Sequence, residues 1–122
     1  MDMELNHTIV PAHDKEASAK FFAEIMGLTY EGTMGHFAPV RVNGTLTMDF
    51  DNATDFRKHH YAFKVTDAEF DEIFTRIEAA SIAYGGGPGT PDDGKINNRH
   101  DGRGFYWRDI DGHLLEVLTR DS

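Results

Sequence analysis

The alternation of apolar and polar positions predicts that the chain repeats one order of elements twice. In the first half, a strand over residues 4–10 stops at Pro11, and a helix follows from its N-cap Asp14 to Gly27. Three further strands are predicted, over residues 28–31, 37–42 and 45–51. Asn43 and Gly44 predict a two-residue hairpin turn between the last two of these strands.

The second half predicts the same order. A strand over residues 59–65 precedes a helix that Asp67 caps and that runs to about Ala80. One face of this helix is apolar, because its aromatic and aliphatic residues fall at helical spacing: Phe70, Ile73, Phe74 and Ile77. A short strand over 82–84, a glycine-rich loop over 85–94 and two strands over 104–108 and 113–119 complete the pattern.

Candidate site residues occupy matching places in the two halves. His7 lies seven residues before Asp14, and His60 lies seven residues before Asp67. The last strand of each half also carries an acid among apolar residues, Asp49 in the first and Glu116 in the second. Such internal register indicates a duplication. We therefore expect one α+β domain over residues 1–122, with βαβββ modules at about 1–51 and 58–120.

Composition and charge exclude or disfavour several classes of function. The 122 residues are 39% hydrophobic and include no cysteine, so a sizeable core is expected, whereas disulfides, thiolate ligands and a cysteine nucleophile are excluded. The formal charge of −9 disfavours nucleic acid and anionic membrane surfaces as partners. The N-terminus lacks the pattern of a signal peptide, and no apolar run is long enough for a membrane helix, so a cytoplasmic location is expected.

The predicted strands place His7, His60 and Glu116 as candidate metal ligands. A carboxylate such as Glu116 on a mostly apolar strand face is costly unless it is paired with a cation or coordinated, and an ion pair with an arginine is the alternative reading. Two imidazoles and one carboxylate suit Fe(II), Mn(II), Ni(II), Co(II) or Zn(II) and leave positions open for a substrate. Asp49 is a candidate fourth ligand, with a role as a base or as a strand-end cap as alternatives.

Three segments resemble the vicinal oxygen chelate superfamily, which includes glyoxalase I, fosfomycin-resistance thiol transferases, extradiol dioxygenases and bleomycin-binding proteins. They are Leu5-Asn6-His7, His60-Tyr61-Ala62-Phe63 and the segment from Asp109-Ile110-Asp111-Gly112 to Glu116. The resemblance implies a curved, cup-like mixed sheet around one divalent metal ion per site. It implies His7, His60 and Glu116 as ligands, with Asp49 at the position of a fourth. It also implies a homodimer, often with ligands from both subunits meeting in one site.

The segment Asn98-Arg99-His100, followed by Phe105 and Tyr106, is similar to the extradiol dioxygenase signature. The resemblance implies that His100 and Tyr106 act on a small oxygenated substrate that chelates the metal, as catalytic residues. A glyoxalase-type lyase or isomerase and a fosfomycin-type thiol transferase are the alternative enzymes. A non-catalytic small-molecule binding or resistance protein is the alternative from another class.

Overall fold

A computed structural model describes residues 2–121, which fall into two compact units with their boundary between Arg57 and Lys58. The elements of unit 1 are β1 (His7–Ala12), α1 (Lys15–Met26), β2 (Ala38–Arg41) and β3 (Thr47–Asn52). Those of unit 2 are β4 (His60–Lys64), α2 (Asp67–Ala79), β5 (Tyr84–Gly85), a 3₁₀ turn (Arg99–Asp101), β6 (Gly104–Arg108) and β7 (Leu114–Leu118). The fold class is the one that the sequence predicts, α+β with paired βαβββ-type modules and mixed sheets, although unit 1 lacks one of its four predicted strands.

In unit 1 the strand order is β1-β3-β2, with β1 parallel and β2 antiparallel to β3. The alternation along the strands sends Val10, Met48 and Phe50 into the core, where all three are buried. Helix α1 packs over this face, and the rings of Phe22 and Phe50 lie 5.6 Å apart. The opposite face of the sheet therefore carries the polar candidates of β1 and β3.

Helix α1 begins and ends where the sequence predicts. The Asp14 side chain accepts a hydrogen bond from the Ala17 amide, so it satisfies one of the donors that the first helical turn leaves unpaired. Gly27 closes the helix with φ 74°, a left-handed conformation that glycine adopts without steric cost, and its amide donates to the Ala23 carbonyl.

Three strand predictions for unit 1 are wrong. Strand β1 continues through Pro11 to Ala12, because β1 lies at one end of the strand order of unit 1, where a residue without an amide hydrogen is tolerated. Residues 28–31 form no strand; Gly32 and Gly35 take positive φ in the segment that follows. The β2–β3 connection spans residues 42–46 rather than Asn43 and Gly44 alone, and the Asn43 side chain shapes it by accepting from the amides two and three residues ahead.

Unit 2 holds a four-stranded sheet of order β4-β7-β6-β5, in which β4 runs parallel to β7 and the other pairs are antiparallel. Helix α2 covers one face with the predicted apolar stripe, in which Phe70, Ile73 and Ile77 are buried. The ring of Phe70 meets that of Phe105 edge-on at 5.3 Å. Trp107 is also fully buried.

Helix α2 is capped by Thr66 rather than by Asp67, which is a correction to the sequence prediction. The Thr66 hydroxyl accepts from the Glu69 amide, and the Glu69 carboxylate accepts from the Thr66 amide, so the two residues form a reciprocal capping box. The short strand predicted over 82–84 is displaced to Tyr84–Gly85, and the last strand is the shorter Leu114–Leu118. No helix within residues 2–121 is long and apolar enough to cross a bilayer.

Candidate functional site

The two units present their candidate residues in the same strand register. In unit 1, Ile9 pairs with Asp49, two residues after His7. In unit 2, Ala62 pairs with Glu116, two residues after His60. Because side chains two residues apart share a face of a strand, each histidine lies on the same sheet face as the acid of its own unit. The register therefore shows the repeat more clearly than the helix caps do.

His60 and Glu116 are in direct contact. The Nε2 atom of His60 lies 3.2 Å from Oε1 of Glu116, and its Nδ1 atom lies 3.1 Å from the carbonyl oxygen of Leu114. If Nδ1 donates to that carbonyl, Nε2 of a neutral ring turns its lone pair toward the carboxylate. Two electron-rich atoms so close require a cation between them or a proton on the ring.

The fit of this pair to a metal ion can be checked by simple geometry. Ligand atoms at about 2.1 Å from one ion, and at about a right angle, lie about 3.0 Å apart. The observed 3.2 Å between Nε2 and Oε1 is close to that value. A backbone carbonyl holding the other ring nitrogen is also the usual outer support of a metal-bound histidine. His60 and Glu116 therefore fit two neighbouring positions of a divalent ion.

Tyr106 lies beside this pair, as the residue that pairs with Glu116 across β6 and β7. Its ring stacks near that of His60 at 6.0 Å, and its hydroxyl accepts from Nη1 of Arg99 at 2.8 Å. Burial raises the pKa of Tyr106, the Glu116 charge raises it further, and Arg99 opposes both effects. The hydroxyl therefore remains protonated at neutral pH and can donate a hydrogen bond.

A cavity of about 160 Å³ opens beside Tyr106 and Glu116 in unit 2, and His100 lines it. His100 lies in the 3₁₀ turn with φ 57°, a left-handed conformation that is rare outside glycine. The sequence singles out His100 in this segment but not its neighbour Arg99. The guanidinium of Arg99 binds both Tyr106 and the carbonyl of Gly86. No periodic pattern marks a loop residue of this kind.

Unit 1 carries a larger cavity, of about 590 Å³, on the sheet face that holds His7 and Asp49. Phe37 and Pro39 give it an apolar wall, and Arg41 lies on the same wall. His7 is exposed, and its Nδ1 lies 2.7 Å from the side-chain oxygen of Asn6. The cavity therefore has room for an organic molecule beside two potential ligands.

The structure thus brings together some predicted residues and not others. His60, Glu116 and Tyr106 form one cluster with His100 on its cavity wall, while His7 and Asp49 share the cavity of unit 1. Within residues 2–121, three or more His, Asp or Glu side chains do not gather into a group that could hold a metal ion.

His113, at the start of the segment that leads into β7, is fully buried. Its Nδ1 accepts from the amide of His59, and Asp109 accepts from the amide of His113. These contacts join the turn that precedes β7 to the start of β4, and thus to the strand that carries His60.

Known proteins share this architecture over its full length. The structure of oxidase ChaP-H1 is 48% identical in sequence, covers 98% of this chain and 97% of its own, and superimposes with a TM-score of 0.93. Oxidase ChaP-H2 is 43% identical, with coverage of 99% and 96% and a TM-score of 0.94. No protein-family model matches the chain.

More distant proteins share the fold or a part of the sequence. The glyoxylase/bleomycin resistance protein/dioxygenase domain from Frankia sp. EAN1pec is 20% identical over 98% of this chain and 93% of its own, with a TM-score of 0.74, and shows the same fold. The glutathione transferase FosA of Serratia marcescens is 27% identical over 96% of this chain and 81% of its own length.

The chain therefore belongs to the vicinal oxygen chelate superfamily, the glyoxalase/bleomycin resistance/dioxygenase group. The relatives named as oxidases and as a transferase are enzymes, and members of this superfamily often bind a divalent metal ion.

Proposed function

We propose that this protein is a metal-dependent enzyme of the dioxygenase type, which oxidises a small substrate that offers two neighbouring oxygen atoms. The observation that carries the proposal is the 48% identity, over nearly the full chain, to a protein named as an oxidase. The 43% identity to a second oxidase supports the same chemistry. Dioxygen is the oxidant, and in a dioxygenase both of its atoms enter the substrate, so no external reductant is needed.

The proposed metal ligands are His7, His60, Glu116 and Asp49, holding one divalent ion per site. The 3.2 Å contact between His60 and Glu116, with the carbonyl of Leu114 at the other ring nitrogen, supports two of these positions. The equal register of His7 and Asp49 in unit 1 supports the other two. When bound, the metal would supply a Lewis acid and a centre for oxygen activation.

The remaining residues of the cluster have roles that follow from their contacts. The Tyr106 hydroxyl is protonated and held at a fixed position by Arg99, so it is suited to donate a hydrogen bond to a substrate oxygen. His100 lines the same cavity and is suited to hold or move a proton of the substrate.

The test begins with elemental analysis of the purified full-length protein. We expect near-stoichiometric divalent metal that is lost in His60→Ala and in Glu116→Ala, and retained in His36→Ala, whose side chain is exposed and outside both cavities. Protein loaded with Fe(II) is then supplied with a broad panel of catechols in an oxygen electrode. Oxygen uptake that requires both the metal and His60 is expected.

The metal analysis and the oxygen-uptake assay test different parts of the proposal, so either one can contradict its own part alone. Metal that persists in both variants would contradict the proposed ligands. Stoichiometric metal with no oxygen uptake across the panel would contradict the oxidation and leave the ligands standing. The similarity to FosA makes thiol transfer the second candidate in that event.

A further inference from the structure

Cationic side chains crowd the small cavity of unit 2, although the chain as a whole has a formal charge of −9. Arg99, Arg103 and Arg120 all line this space of about 160 Å³, together with His100. Glu116 is the carboxylate on its wall, and His60 already lies against it. Arginine excess in an acidic protein indicates an attraction for anions at this place.

One of the three arginines is already neutralised. Arg103 binds Asp71 through Nη1 at 2.8 Å and Asp67 through Nη2 at 3.1 Å, and it lies 4.2 Å above the ring of Phe70. These contacts occupy both terminal nitrogens of the Arg103 guanidinium. They also raise the pKa of Arg103 above its ordinary value, chiefly through the hydrogen bond to Asp71. Arg103 is therefore a structural tie to helix α2.

The other two arginines meet neutral acceptors. Arg99 donates to the hydroxyl of Tyr106 and to the carbonyl of Gly86. Arg120 donates to the carbonyl of Thr119 at 3.3 Å. Within the described chain, neither guanidinium pairs with a carboxylate. Each guanidinium has five donors, so both keep donors for a ligand.

The backbone around the cavity is shaped for Arg120. A Cβ atom at Gly102 would lie 2.6 Å from Cγ of Arg120, so the side chain of Arg120 crosses the loop where only glycine leaves room. His100 and Asp101 take consecutive left-handed conformations, with φ of 57° and 60°. Strained conformations of non-glycine residues persist where the surroundings enforce them, often at ligand sites.

From these observations we propose that the unit 2 cavity is an oxyanion subsite, in which Arg120 and Arg99 bind a carboxylate or phosphate-type group of the substrate. The inference rests on the proposed function, because it gives the substrate of that site a negative charge. Arginine binds such groups through two parallel N–H donors, and pairs of this kind are among the stronger hydrogen bonds in proteins. Tyr106 would then lie between the anion and Glu116.

The test is an NMR titration of the isotopically labelled full-length protein, both as purified and after removal of metal by a chelator. The ligands are benzoate, inorganic phosphate and benzamide, the last being the uncharged counterpart of benzoate. We expect at least one of the two anions to shift resonances of residues 97–106 and benzamide to have no effect there. The tighter of the two anions identifies the class of oxyanion.

Variants then assign the binding to Arg120. Arg120→Gln should weaken anion binding by about tenfold or more, and Arg120→Lys by less, since lysine keeps the charge but not the paired donors. Arg76→Gln is the matched control, because Arg76 lies on helix α2 away from the cavity and pairs with Glu72. The spectra also report whether each variant is folded.

Binding of benzamide as tight as that of benzoate, or unchanged anion affinity in folded Arg120→Gln, would overturn the subsite. The variant Glu116→Gln distinguishes a failure of this inference from a failure of the proposed function. That variant should lose the metal if Glu116 is a ligand, yet bind the anion at least as tightly, because it removes a negative charge from the cavity wall.

Discussion

At the scale of single residues, Asp109 shows how a half-buried carboxylate shapes the turn before β7. Its Oδ1 atom accepts hydrogen bonds from the amides of Asp111 and His113. Burial nevertheless raises the pKa of Asp109 above its ordinary value of 3.8, because the desolvation of the charge outweighs these bonds. A raised pKa means that the folded state favours the protonated acid, so this residue adds stability as the pH falls and removes it as the pH rises.

Asp109→Asn keeps the accepting oxygen and removes the half-buried charge. We expect this variant to be at least as stable as the parent at pH 7, with a difference that shrinks as the pH falls through the raised pKa of Asp109 and the folded parent takes up its own proton there. Asp109→Ala should be less stable by about 1–3 kcal/mol, because two buried amides lose their acceptor. Urea denaturation between pH 4 and pH 7 measures both, and equal losses in the two variants would contradict the argument.

The residues of the candidate site could be foreseen only in part. Alternation along β6 requires Tyr106 and Trp107 to face opposite sides, and the structure turns Tyr106 toward the unit 2 cavity while Trp107 is fully buried. Arg99 could not be foreseen, because its contacts with Tyr106 and Gly86 depend on how a non-repetitive loop closes. Long-range contacts of that kind leave no local pattern.

At the scale of the elements, the helices were the more predictable part. Apolar spacing and a terminal glycine define α1, whereas residues 28–31 alternate in polarity like a strand but are followed by Gly32 and Gly35 at positive φ. In that segment the backbone conformation of the glycines, and not the alternation of the side chains, decides the structure. At α2 the sequence prediction of Asp67 as the cap was wrong, because Glu69 completes a reciprocal box with Thr66 three residues earlier.

The capping box at α2 supports a prediction. Thr66→Ala removes the acceptor of the Glu69 amide and should lower the free energy of unfolding by about 1 kcal/mol. Thr75→Ala is the matched control on the same helix, because its hydroxyl only donates to the Asp71 carbonyl one turn earlier. Alanine is a better helix former than threonine in that interior position, so the free energy of unfolding of the control should fall little or rise.

Chemical denaturation of both threonine variants, followed by circular dichroism, measures the two changes. A loss at Thr75→Ala equal to that at Thr66→Ala would show that the cap contributes nothing specific.

At the scale of the whole molecule, the duplication divides the proposed ligands evenly. Unit 1 supplies His7 and Asp49, and unit 2 supplies His60 and Glu116. Small members of the superfamily, as the sequence resemblance implies, dimerise and often join ligands of two subunits in one site. A homodimer of this chain would have twice its mass of 13.7 kDa, which light scattering after size-exclusion chromatography can measure.

Complementation between two damaged chains tests whether this protein uses that arrangement. His7→Ala and Glu116→Ala, each purified alone, should both lose the metal. If the ligands of one site come from two subunits, a mixed dimer holds one intact site and one doubly damaged site. Unfolding and refolding the variants together at equal amounts gives mixed dimers in about half of the population by random pairing. About a quarter of all sites should then regain metal, a recovery that follows from the two-fold symmetry of a homodimer.

The control for this experiment is a mixture of His60→Ala with Glu116→Ala. Both changes lie in unit 2, so a shared site would receive one damaged half from either chain and recover nothing. No recovery in the first mixture, with dimers present by light scattering, would mean that each chain supplies all ligands of its own site. The duplicated fold would then serve as one self-contained binding unit per chain, and dimerisation would have to be explained by something other than the metal.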